Sequence, residues 1–552
     1  MLEGLVARCF QHLTVAISFS LIAIMQGVGL PAPSPDDPKS GRVFPLTTGI
    51  AWAPYLEWEV ENPSYSGNPF DLVADVSFTH TETQEKRETQ MFYDGQGVWK
   101  FRFTGTRTGE WTFVTHSEDP DLDGHSGTIQ IEVQTDGNLA RGFVSNRRAP
   151  FWSWSNGDAF IPVVVMYRSP AFFHDQPEKI DSDIELWFKD HGFNGLHVGV
   201  FSAWFDIEAS DRYAGNSGAW DEISGDRHDP DLTPDLRTFE ALEQLITKAY
   251  EAGGFVHIWM WGGGGGGSST KQNVTGFAGG IDGPVDRRLQ RYVAARLGPL
   301  PGWTLGYGWD VWGYAGASEL ESWHAYLHEH LGWEQVIGAR AHRNDDDPWQ
   351  ITDVLDYVGH EDHATINHDG NVAYDRFVEW FNFRPEAVHF SEDRFRLWES
   401  RWPSRNFDED RARRTLWHAA MAGGAATIWG QTDEDGNWDA AGSLPLNARE
   451  QFRVFASFWE DRFLPGMKRS NEVGDGYALM KPGSQKYVFY QEDTDSVTLD
   501  LGSIGGPLPA VAVDTKAETY RERELGPLDQ GHKVWEAPYR SDWVIAVGDW
   551  QR

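Results

Sequence analysis

The stretch Ala387-Val-His-Phe-Ser-Glu-Asp-Arg-Phe-Arg396 carries a short apolar run straight into a cluster of charge. Val388 to Phe390 have the composition of a buried strand, and Glu392 stands where that strand would end. A carboxylate at the C-terminal end of a strand, with Arg394 and Arg396 just beyond it, is what a parallel (β/α)8 barrel presents to its substrate. This reading predicts seven further strands, each leading into a helix.

The rest of the chain supplies them. Phe160–Tyr167, Gly195–Phe201, Phe255–Trp261, Trp303–Tyr307, Gln335–Ala339 and Val354–Val358 read as strands one to six, and Ala425–Trp429 as strand eight. Between them lie helical patterns. Ile184, Leu186, Trp187 and Phe188 mark the first. Thr233 as N-cap and Pro234 at the first helical position open the clearest one, which Phe239, Leu242, Leu245 and Ile246 line and Gly253 stops. Further helices are expected over Asp286–Leu297, after Ser318 with Glu321 as a capping box, and over Glu409–Met421.

On either side the period changes to two. Leu72–Phe78, Val98–Phe103, Trp111–Thr115 and Gly127–Val133 alternate as strands of a β-sandwich, and Tyr487–Tyr490, Ser496–Leu501 and Trp543–Val547 as strands of a second one. The expected organisation is an export signal over 1–29, a Pro/Ser/Asp-rich linker over 30–41, an N-terminal β-sandwich over 42–136, the barrel over 137–464 and a C-terminal β-sandwich over 465–552. The signal reading rests on Arg8 and His12 ahead of the apolar run Leu13–Met25, which is short for a membrane span; a retained anchor is the alternative. A secreted or periplasmic location follows from it.

Composition narrows the chemistry. Of 552 residues the single cysteine is Cys9, inside the predicted signal, so the mature chain offers no disulfide, thiol nucleophile or cysteine metal site. A formal charge of -36 argues against nucleic acid or an anionic membrane surface as partner. With 27 tryptophans the chain is rich in stacking surfaces, which suit a polysaccharide or oligosaccharide. No cofactor is expected. Asp119-Pro-Asp-Leu-Asp-Gly124 resembles half of a calcium loop and is read as a turn, because no Glu follows at the required offset. His360-Glu-Asp-His363 and Asp345–Asp347 match no metal-ligand spacing, Gly262–Gly267 lacks the lysine of a phosphate loop, and no Gly-x-Ser-x-Gly elbow occurs.

At the strand ends the candidate catalytic pair is Asp310, after strand four, and Glu392, after strand seven. Two carboxyls facing each other across a pocket are the arrangement that cleaves a glycosidic bond, one donating a proton and the other attacking or activating water. Arg168, Arg343, Arg394 and Arg396 suit a carboxylated or sulfated sugar, His197, His257, His342 and His360 its hydroxyls, and Trp204, Trp259, Trp261 and Trp429 its faces. A non-catalytic carbohydrate-binding protein and a polysaccharide lyase are the competing classes.

The motifs Glu57-Trp-Glu-Val60, Asn68-Pro-Phe70, Phe92-Tyr-Asp-Gly95, Trp99-Lys-Phe-Arg-Phe103, Gly109-Glu-Trp-Thr-Phe113 and Leu122-Asp-Gly-His-Ser-Gly127 resemble the β-sandwich of unknown function that precedes apiosidase-like glycoside hydrolase barrels. Tyr487-Val-Phe-Tyr490 to Asp542-Trp-Val-Ile-Ala546 is similar to their collagen-binding-type C-terminal β-sandwich. The resemblance implies retention, with an Asp after strand four as acid/base and a Glu after strand seven as nucleophile, positions that Asp310 and Glu392 match. The surround of Asp310 departs from the family: Trp309-Asp-Val-Trp312 stands where a more polar stretch is usual.

Overall fold

The structure is a computed structural model that describes residues 41–550, apart from 168–177, 201–228, 262–276, 309–310, 312–313, 341–351, 361–370, 392–394, 397–407, 425, 430–445, 461, 464–465, 471–475 and 503. At its centre is a curled parallel sheet. Strands one to seven, Val163–Met166, Gly195–Gly199, Phe255–Trp259, Trp303–Gly306, Val336–Arg340, Tyr357–His360 and Val388–Ser391, pair in sequence order. Strand eight, Ala426–Trp429, pairs in parallel with strand one on one side and with a two-residue strand, Phe395–Arg396, on the other.

Both faces of this sheet are buried, as near-continuous apolar strands require. Val163, Val165, Leu196, Val198, Val256, Ile258 and Leu305 turn outward into the large core shared with the helices. Val164, Phe255, Val336, Tyr357, Val388 and Phe390 turn the other way into a separate inner cluster. A small antiparallel sheet of Val144–Ser145, Trp152–Trp154 and Ala159–Phe160 supplies Trp152 and Trp154 to that cluster, and the Trp152 Nε1–H donates to the His389 carbonyl at 2.8 Å.

Helices occupy the expected places, with shifted caps. The helix Leu236–Glu251 begins two residues later than Thr233-Pro234 suggests, because Asp235 is the N-cap and accepts the Arg237 N–H at 3.1 Å; Gly253, at φ +88°, follows its end as anticipated. The next helix, Pro284–Leu297, starts with Pro at its first position. In Ala317–His330 the capping carboxylate is Glu319, which accepts the Gly316 N–H at 3.1 Å, and Ser318 is already helical; Glu321 is engaged elsewhere, by the Thr352 hydroxyl at 2.7 Å. The segment with Trp187 is an α-helix over Lys179–Ile184 that widens into a π-helix over Glu185–Asp190. Strand six begins at Tyr357 instead of Val354. Val354 is exposed, and the Asp356 carboxylate is held by the Ile337 N–H.

The N-terminal strands form a five-stranded and a three-stranded sheet around Trp58, Phe78, Phe101, Phe103, Trp111, Phe113 and Ile131. Trp333, from the chain beyond Ala317–His330, enters this core and donates its indole N–H to the Thr104 carbonyl at 2.9 Å. The Asp119–Gly124 segment is a turn. Asp119 and Asp123 spend a carboxylate oxygen each on the N–H groups of Asp121 and Ser117. The closing segment is one six-stranded antiparallel sheet whose long strands, Lys486–Asp500 and His532–Val547, are irregular in register between Gln491 and Ser496. One face packs Leu479, Val488, Tyr490 and Val544 into the helical core; the other encloses Phe489, Leu499, Ala512 and Ile545.

Candidate functional site

The side chains turned inward by the parallel sheet are not all apolar. His197 and His257 are register partners on strands two and three, so they share a face, and their rings stack at 4.9 Å. Trp259, two residues past His257, sets its edge against His197 at 4.0 Å between centroids. The His257 Nδ1 lies 2.7 Å from the Thr304 hydroxyl, and its Nε2 faces the Tyr357 hydroxyl at 3.4 Å. Phe390 closes over the same ring at 4.6 Å. Strands two, three, four, six and seven thus converge on one buried imidazole.

His389, the neighbour of Phe390, faces the opposite way. Its Nε2 meets the Arg384 carbonyl at 3.0 Å, and burial holds its pKa down at about 4, so it stays neutral. The contrast between His257 and His389 shows strand parity sorting chemically similar side chains to different surroundings.

Trp261, just past strand three, is anchored differently. Its indole N–H donates to Asp286 Oδ1 at 2.6 Å, and its ring stacks on Tyr307 at 5.8 Å and meets Trp323 edge-on. Ring and donor are both committed to protein contacts. Asp286, in the first turn of Pro284–Leu297, also accepts the Asp282 N–H at 2.8 Å and the Gln290 amide at 2.9 Å. It therefore ties the end of strand three to the start of the following helix. Burial raises its pKa to about 6, against the opposing pull of those hydrogen bonds.

That shift has a definite sign. A carboxyl with a folded pKa above its unfolded value loses stabilisation as pH rises from about 4 to about 6, here by roughly 3 kcal/mol. Asp286→Asn is expected to lack this slope. It should also start from lower stability, because an amide nitrogen cannot accept from the donors that meet it, at about 1–3 kcal/mol for each one left unpaired. Unfolding free energies of the two proteins between pH 4 and 7 check this: the gap should narrow as pH rises, and a constant gap would exclude the assignment.

Of the residues singled out in the sequence, the structure brings together His197, His257 and Trp259. Arg396 and Trp429 are register partners on adjacent strands. Asp310, Glu392, Arg168, Trp204, His342, Arg343 and Arg394 lie outside the described residues, as do the Gly262–Gly267 run, Asp345–Asp347 and Glu361–His363. Sequence reasoning missed Asp286, Thr304 and Tyr357. An acidic residue in the first turn of a Gly-Pro-initiated helix was a readable signal for Asp286; the other two are recognised only through contacts distant in sequence. Two described cavities, of ≈ 680 and ≈ 690 Å³, lie elsewhere: one beside Trp154, Phe160 and Asn194 near the beginnings of strands one and two, the other between Glu57, Lys100 and Glu243.

Comparison with known proteins is informative on the fold. Residues 51–118 match the model of a domain of unknown function, DUF5060. No curated protein matches the chain. A Bacteroides vulgatus protein provisionally named a glycoside hydrolase superposes with a TM-score of 0.69 at 15% identity, covering 91% of this chain and 99% of its own. A second structure, named simply a glycoside hydrolase, gives 0.53 at 13% identity over 74% of this chain and 97% of its own. A family 5 glycoside hydrolase, also from Bacteroides vulgatus, gives 0.53 at 14% identity over 75% and 95%.

Proposed function

We propose that this chain is an exported retaining glycoside hydrolase of the apiosidase-like kind, cleaving O-glycosidic bonds of a plant or algal polysaccharide or its side chains. The observation that carries the reading is the fold, which superposes over 91% of the chain on a protein provisionally named a glycoside hydrolase. The sheet's inner face supports the choice of residues. Val388 and Phe390 turn inward on strand seven, and position 392 has the same parity. Thr304 turns inward on strand four, and position 310 follows the C-terminal end of that strand, Gly306, by four residues.

In this proposal the eight strands close into a barrel through the run 388–396, flanked by a β-sandwich over 42–136 and by the domain over 465–552 that the six-stranded sheet builds. Asp310, protonated, delivers its proton to the leaving oxygen while ionised Glu392 attacks the anomeric carbon. Asp310 then takes a proton from the water that releases the sugar. Such a pair stands about 5–5.5 Å apart, and the covalent intermediate makes the product retain its anomeric configuration. His197, His257 and Trp259 form the polar floor beneath that pair, and the arginines 168, 343, 394 and 396 favour an acidic or sulfated sugar. The flanking signal over 1–29 directs export.

The test is a screen of plant and marine algal glycans with the mature chain, followed by proton NMR of the first product formed. Release of a reducing sugar with retained configuration is expected. Inversion would replace the nucleophile role of Glu392 by that of a base. An unsaturated, ultraviolet-absorbing product would make the protein a lyase, and binding with no turnover of any glycan would make it a carbohydrate-binding protein.

A further inference from the structure

At the opposite end of the sheet from the strand C-termini, two histidines and an aspartate converge. His324 and His328 are four residues apart on the helix Ala317–His330, so their side chains rise from one face, and their rings lie 4.2 Å apart. Both point at Asp356, the residue immediately before strand six. His328 Nε2 lies 2.8 Å from Asp356 Oδ2, and His324 Nε2 lies 3.3 Å from Oδ1. One donor atom from each residue falls within 4.8 Å of the other two.

From this arrangement we infer a binding site for a divalent first-row transition cation, Zn²⁺ foremost, with His324, His328 and Asp356 as its three protein ligands. Ligand atoms around tetrahedral zinc, each about 2.0–2.1 Å from the ion, stand about 3.3 Å from one another, the distance that separates His324 Nε2 from Asp356 Oδ1. Two imidazoles and a carboxylate select transition metals over calcium or magnesium. The carboxylate is held in place by its own partners, since Oδ2 also accepts the Ile337 N–H at 2.9 Å and the Asp356 carbonyl accepts the Asn146 amide at 3.2 Å. Both imidazoles therefore face one carboxylate, His328 at Oδ2 and His324 at Oδ1, and together they hold the Asp356 pKa below the ordinary value against its burial. A cation between the three groups would take one ligand atom from each in place of these ion pairs.

The site clips the last turns of one helix to the base of strands five and six. It does not depend on the glycosidase reading, because it lies away from the strand ends where Asp310 and Glu392 belong. The test is calorimetric titration of chelator-treated full-length chain with Zn²⁺, alongside His324→Gln, His328→Gln and the double variant. One equivalent should bind, each single variant should weaken binding at least tenfold, and the double variant should abolish it. Co²⁺ should give the visible absorption of a four-coordinate N/O site in the wild type alone. Should the variants fail to fold, protection of His324 and His328 from diethyl pyrocarbonate by Zn²⁺ replaces them as the readout. Absence of saturable binding, undiminished binding by the double variant, or failure of Zn²⁺ to protect these two among the 19 histidines would overturn the assignment.

Discussion

Replacing Glu392 by Gln is expected to lower turnover by about 10⁴-fold or more while leaving glycan binding largely intact, because the amide keeps the shape of the side chain but cannot form the glycosyl ester. Asp310→Asn is expected to cost less, about 10²–10⁴-fold, the usual scale of a general acid–base contribution. A substrate with a good leaving group separates the roles further. It needs no protonation, so it should restore the bond-breaking step in Asp310→Asn and do nothing for Glu392→Gln. Azide gives an independent signature: Glu392→Ala should yield a glycosyl azide of inverted configuration, whereas Asp310→Ala should yield one of retained configuration, since there azide displaces the enzyme-bound sugar. A folded Glu392→Gln that keeps a tenth of wild-type turnover would remove Glu392 from the chemistry, whatever the fold.

Most of the parallel sheet was legible because most of its strands are apolar runs bounded by punctuation, and such runs are buried on both faces where they pair. Gly253 marks a helix end as a readable stop. The caps were harder. Thr233 and Asp235, or Ser318 and Gly316, are equivalent to within two residues on local chemistry, and the decision falls to contacts far along the chain. Thr352 claims Glu321, leaving Glu319 to cap. Strand six slipped for a similar reason. Val354 supplies the apolar letter of a strand, yet Asp356, fixed by Ile337 and His328, forces pairing to begin after it.

The candidate site divides along the same line. Parity alone would put His257 and Trp259 on one face of strand three, and they are there; that His257 is met by Thr304 and Tyr357 depends on strands four and six. The His-x-x-x-His spacing of His324 and His328 is visible in the sequence, but Asp356 completes the set only because strand six returns beside strand five.

The second large effect concerns how the N-terminal sheets are held. Glu243→Ala is expected to destabilise the protein by about 1–3 kcal/mol, since it removes the carboxylate shared by two buried guanidinium groups and leaves Arg102 to Glu57 and Arg296 to Asp94. Glu243, on Leu236–Glu251, accepts from Arg102 of the N-terminal sheet at 2.6 Å and from Arg296 of Pro284–Leu297; all three are buried. Arg102 is also bonded to Glu57 and to the Arg296 carbonyl, so the carboxylate is the centre of a bridge between the N-terminal strands and two helices. Burial by itself would raise the pKa of Glu243, and the two arginines overcome it and hold it below the ordinary value. With the folded pKa depressed, the stabilisation is present above the usual glutamate range and is lost as pH falls through it. Glu243→Gln should therefore reproduce part of the loss at neutral pH and converge on the wild type in acid. Glu85, whose partner Arg107 is half exposed, provides the contrast: removing that exposed contact by Arg107→Ala should cost under about 1 kcal/mol. Chemical denaturation at pH 7 and pH 4 distinguishes the two cases. A loss at Glu243 no larger than that at Arg107 would mean that the apolar contacts, Trp333 within the N-terminal core above all, hold these layers together without the ionic bridge.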